Sequence, residues 1–94
     1  MNEAIVAEHV DRAISAVQSE LASVDDNLLR SQLESALQAL REVDAFLDGA
    51  EIAPPDISWL SQMVADQWDP LWPTTDAVLE AAHSYAHLNT VKRQ

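Results

Sequence analysis

Apolar residues recur at helical spacing through the first half of the chain. Val10, Ile14, Val17, Leu21, Val24 and Leu28 are separated by steps of 4, 3, 4, 3 and 4 residues, the seam of one helical face. Leu29, Leu33, Leu37, Leu40, Val43 and Leu47 continue on one side of a second helix. The spacing predicts helices over about 3–24 and about 27–48. Asn2 is placed to cap the first, and Glu3 suits the positive end of its dipole. Gly49 stands where a left-handed cap would end the second.

Asp25-Asp26-Asn27 reads as a turn carrying a new N-cap, which would fold the two helices into a long antiparallel hairpin. The rival is one helix over about 3–47, roughly 65 Å long at 1.5 Å per residue, which would need a coiled-coil partner. The seam breaks after Leu28, where Ser31 and Gln32 occupy the next apolar places. Together with the turn chemistry, that break favours the hairpin.

Glu51-Ile52-Ala53-Pro54-Pro55 is a linker, since two prolines cannot lie inside a helix. Asp56 then caps a third helix over about 56–68, with Ile57, Leu60, Val64 and Trp68 facing inward. Asp69-Pro70-Leu71-Trp72-Pro73 ends it, because proline disfavours the helical state of the preceding residue. Thr74 or Thr75 caps a fourth helix over about 75–91, with Asp76 in its first turn. Its buried stripe is Val78, Leu79, Ala82, Tyr85, Leu88 and Val91. The pattern sums to an all-α, small four-helix domain: a long antiparallel helical hairpin followed by two shorter helices packed across it.

Composition adds exclusions. A chain of 94 residues makes one domain at most. The single glycine argues against a turn-rich all-β fold, and the lack of cysteine removes disulfides and thiolate metal sites. Met1-Asn2-Glu3-Ala4 lacks the basic start and apolar run of a signal peptide. No segment approaches the roughly 18 apolar residues that span a bilayer. A cytoplasmic setting away from membranes is expected.

Charge changes the picture most. The net charge is −11, and between Arg41 and Lys92 fifty residues pass without one lysine or arginine. The same stretch carries nine carboxylates: Glu42, Asp44, Asp48, Glu51, Asp56, Asp66, Asp69, Asp76 and Glu80. Direct binding of nucleic acid is disfavoured, because a phosphate backbone is drawn to clustered Lys and Arg. Asp44, Asp48 and Glu51 lie at and beyond the end of the second helix, and Asp66 and Asp69 at the end of the third. Those ends already carry partial negative charge, so each carboxylate there costs a few tenths of a kcal/mol. Asp44, Asp48 and Glu51 also share one helical face and repel one another. Solubility alone rewards an acidic surface. The complete absence of strong bases from fifty residues favours recognition of something basic instead.

Other candidate chemistry is thin. Trp72 sits in a proline-bounded loop, where it either plugs the end of a core poor in aromatics or anchors a partner beside Asp66 and Asp69. Glu80, His83 and His87 share a helical face, but the remaining ligands of a di-iron or zinc site are missing. The serines have no Gly-x-Ser-x-Gly elbow, and one glycine cannot build a phosphate loop. No catalytic residue, metal or cofactor is therefore expected.

The expectation is a small acidic, non-catalytic protein that blocks or neutralises a basic, nucleic-acid-binding macromolecule. An inhibitor of the antitoxin, immunity or phage anti-defence type would fit, with nucleic-acid mimicry as one route. Its partner-binding residues would be Asp44, Asp48, Glu51, Asp66 and Asp69, with Trp72 as an apolar anchor. The alternative is an adaptor module that forms a homodimer through the first-helix seam, at Val10, Ile14, Val17 and Leu21. Its acid would serve solubility alone.

Overall fold

A computed structural model describes the chain from Glu3 to Lys92, with side-chain surroundings through Leu88. It contains α1 (Glu3–Leu21), α2 (Asn27–Leu47), α3 (Ser58–Gln67) and α4 (Pro73–Lys92), and no strand occurs among the described residues. The domain is all-α, as the apolar periodicity requires. The cap expected at Asn2 and the side chain of Val91 lie outside the described residues.

The chain turns between α1 and α2, so the alternative of one helix over 3–47 is corrected. Asp26 Oδ1 accepts hydrogen bonds from the Leu28 and Leu29 amides at 2.8 and 3.3 Å, satisfying two of the amides that a helix start leaves open. Arg30 Nη2 donates to the Val24 carbonyl at 2.6 Å, tying the turn from its far side. α1 packs against α2 across this short connection, contacts that fit an antiparallel hairpin. α2 closes at Gly49, whose φ of +100° falls in the region glycine enters without strain.

α1 buries Val6, Val10, Ala13 and Val17, while Ile14 and Leu21 are partly covered against the same core. The helix packs against both α2 and α4, so its apolar stripe is wider than a two-helix seam. Val10 and Val17, two positions of the seam expected to join two copies, have no exposed surface within the single chain. One expectation needs correction. Leu28 does not continue that seam. α1 has ended seven residues earlier, and Leu28, in the first turn of α2, is 65% exposed.

α2 contributes Leu33, Ala36, Ala39, Leu40 and Val43 to the core, and the whole expected face of α3 (Ile57, Leu60, Val64 and Trp68) is buried. α4 touches α1 and α3, so it buries Thr74, Thr75, Ala81 and Ser84 besides Val78, Ala82, Tyr85 and Leu88. The two later helices are not both shorter than the hairpin: α4 has 20 residues against 19 in α1, and only α3, with 10, is short. The start of α4 also differs from expectation. Pro73 is the first helical residue, where its missing amide costs nothing. Thr75 is no cap: it is buried, and its hydroxyl donates to the Asp69 carbonyl at 2.8 Å. Asp56 does organise the head of α3, accepting from the Ser58 amide and hydroxyl at 3.0 and 2.8 Å, but the helix begins at Ser58.

Two polar contacts fix the ends of the bundle. The Tyr85 hydroxyl donates to the Pro55 carbonyl at 2.7 Å, and Phe46 meets the Tyr85 ring edge-on at 6.2 Å. The end of α2, the linker and the later part of α4 therefore gather at one end. At the other, Trp68 Nε1 donates to Gln32 Oε1 at 3.1 Å, and the Trp68 and Trp72 rings meet at 5.2 Å. Successive helices alternate in direction in a rod of 42 × 23 × 19 Å. No helix among the described residues is long and apolar enough to cross a membrane.

Candidate binding surface

The alternation of the helices separates the acidic residues into two groups. Asp44, Asp48 and Glu51 belong to the end that carries Phe46, Pro55 and Tyr85. Asp66 and Asp69 flank Trp68, which is bonded to Gln32 near the start of α2. Asp48 stands sixteen residues beyond Gln32, which is roughly 24 Å along a helix axis. The five carboxylates therefore do not make one patch, and the rod is acidic at both ends.

The ion pairs of the described residues lie elsewhere. Glu80 is met by His9 Nε2 at 2.9 Å and Arg12 Nη1 at 3.7 Å, and Arg12 Nη2 also reaches Glu8 at 3.6 Å. None of Asp44, Asp48, Glu51, Asp66 or Asp69 enters an ion pair among the described residues. Asp69 has a local role: its Oδ1 accepts from the Leu71 amide at 2.9 Å and shapes the turn into α4. Its position is therefore explained by folding, which the sequence did not reveal.

The Asp44 carboxyl is raised above the usual aspartate range, first by partial burial, then by the charge of Asp11 on α1 and that of Asp48 one turn ahead. Asp11 is an addition the helical pattern could not supply, since it arrives from a different helix. The folded protein thus holds the Asp44 proton more tightly than the unfolded chain. The stabilisation from that proton is complete below the unfolded pKa and is lost as pH rises through the raised folded value. Asp44→Asn should accordingly raise the melting temperature at neutral pH. The rise should be roughly 1–3 °C, from a like-charge penalty of a few tenths of a kcal/mol in a domain this size. The gain should shrink in acid. Thermal melts across pH test this, and an equal gain at every pH would contradict it.

Trp72 is half-buried against Trp68, and the exposed apolar group beside it is Leu71, 88% open to solvent. Leu28 lies at the same end of the rod, one turn before Gln32 on the same face of α2. Trp59, on α3, is 43% exposed.

His9 is the polar residue that sequence reasoning passed over. Its Nδ1 lies 2.6 Å from Ser84 Oγ while Nε2 faces Glu80. Serine, histidine and carboxylate are thereby connected in the order of a hydrolytic triad. The chemistry does not follow, because Ser84 is only 5% exposed, between α1 and α4. Acyl transfer needs an accessible hydroxyl and free amides for an oxyanion, and Ser84 lies buried within the α4 helix. The arrangement instead satisfies a buried hydroxyl and joins the two helices. His83 and His87 are exposed on α4, and no group of three or more metal-ligating side chains gathers among the described residues.

Comparisons with protein-family models, with curated proteins and with solved structures found no match to this chain.

Proposed function

We propose that this chain is a small, non-catalytic binding protein that docks on a basic, nucleic-acid-binding macromolecule in the cytoplasm and blocks it. The observation that carries the proposal is the base-free stretch, in which Asp44, Asp48, Glu51, Asp66 and Asp69 enter no ion pair among the described residues and stand toward both ends of a folded rod. Carboxylates that raise the energy of the fold, as Asp44 does, gain a rationale when a cationic partner neutralises them. A net charge of −11 on a rod with a long axis of 42 Å gives the chain the sign of a phosphate backbone. Such a surface can compete for a groove built for nucleic acid. Charge-assisted hydrogen bonds from Arg and Lys would hold it there, and its field would steer encounter. Inhibitors of the antitoxin, immunity or phage anti-defence type have this requirement.

The test is displacement. Basic nucleic-acid-binding proteins are loaded with a fluorescent duplex and titrated with the chain, beside equally basic proteins that have no nucleic-acid site. Release of duplex from at least one member, with little binding to the controls, is the expected result. Retention of duplex throughout, or equal binding to every basic protein, would contradict the proposal.

A further inference from the structure

Between α2 and the head of α3 lies a groove of about 300 Å³. Its base is formed by Ala39 and Ile57, both 5% exposed. Its walls carry Glu42 on one side, and Asp56 and the exposed ring of Trp59 on the other. No lysine or arginine is among its lining residues. An exposed indole next to two carboxylates is the surrounding that a planar cation prefers. The ring face attracts the charge, the carboxylates accept its N–H groups, and the apolar base takes the methylene stem.

We propose that this groove receives an arginine side chain of the basic partner, with the guanidinium between Trp59 and the Glu42 and Asp56 carboxylates. The inference rests on the functional reading above and gives it a specific contact on the side of the rod, apart from the two acidic ends. Arginine suits the groove better than lysine, because its flat guanidinium can lie on the indole and present a fork of donors to a carboxylate at the same time. Asp56 Oδ1 already serves the head of α3 through Ser58. Asp56→Asn keeps an oxygen acceptor for the two Ser58 bonds while removing the charge.

The experiment uses the whole chain and a short arginine-rich peptide, with a peptide of identical length bearing citrulline at each arginine. Binding is followed by calorimetry and by the shift of the Trp59 indole N–H resonance. The arginine peptide is expected to bind at low salt and to shift that resonance, and the citrulline peptide to do neither. E42Q combined with D56N is expected to weaken binding about 10-fold or more, and W59A about 3-fold or more. E20Q combined with D25N removes as much charge at the α1–α2 turn and is expected to change affinity less than about 2-fold. Equal losses from the two double variants, with binding retained, would overturn the groove assignment and leave the acidic-surface reading standing. Equal binding of the citrulline peptide would overturn the groove's charge selectivity. Failure of the arginine peptide to bind at all would overturn both.

Discussion

Trp68→Ala is expected to destabilise the protein by about 3–5 kcal/mol, the range for removing a large aromatic from a packed core. A domain of this length has roughly 5–14 kcal/mol in total, so the variant should lie near the edge of folding. Each kcal/mol shifts the melting temperature of such a domain by about 4–8 °C, so a fall of roughly 12–40 °C is expected. The size of the effect follows from position. Trp68 is 5% exposed, bonds Gln32 across the bundle and supports the Trp72 ring. Trp68→Phe separates these roles. It keeps most of the apolar bulk and leaves Gln32 without its donor, for a loss of about 1 kcal/mol. Leu71→Ala, two residues before α4 begins and 88% exposed, should stay within about 0.5 kcal/mol of the parent. Equal losses from Trp68→Ala and Leu71→Ala would contradict the burial of Trp68 and the exposure of Leu71.

The combined replacement Asp44→Asn, Asp48→Asn and Glu51→Gln should move stability and binding in opposite directions. The three carboxylates lie at or beyond the C-terminal end of α2, and Asp44 is burdened further by Asp11 and Asp48. Neutralising them relieves both the dipole and the mutual repulsion, so the melting temperature should rise by several degrees. A charge-assisted hydrogen bond contributes about 1.5–3 kcal/mol. Loss of two such contacts should therefore weaken binding to the basic partner by roughly 100-fold or more. Melting curves and binding isotherms on the same samples test the pair of effects. A variant that is stabilised and still binds normally would reduce these acids to solubility groups. A variant that is destabilised would contradict the electrostatic reading of α2.

Much of the architecture was legible because local rules and tertiary demand agreed. The face Ile57, Leu60, Val64 and Trp68 is buried as its spacing requires. Asp26 caps α2, and Gly49 ends it with positive φ. Leu28 misled because its heptad register ran on across a chain reversal, where periodicity carries no information. Thr75 misled because a threonine near a helix start suits a cap, while Pro73 had already opened the helix.

The acidic residues were legible as a composition and not as a surface. Glu51 and Asp66 lie close in sequence, yet alternating helices send their groups to opposite ends of the rod. Asp11 joins Asp44 from another helix, and His9 finds Ser84 across 75 residues of chain. Contacts at that separation leave no local signature. The groove beside Trp59 likewise depends on how closely α2 and α3 pack, which spacing along one helix does not determine.

The most direct measurement is the affinity for a protein displaced from its duplex, determined from about 50 to about 200 mM salt. Docking through several unpaired carboxylates requires log K to fall steeply with log salt in the parent, and with a shallower slope once Asp44, Asp48 and Glu51 are neutralised. An affinity that stays flat across that range, or a slope unchanged by the three replacements, would contradict recognition through the acidic surface.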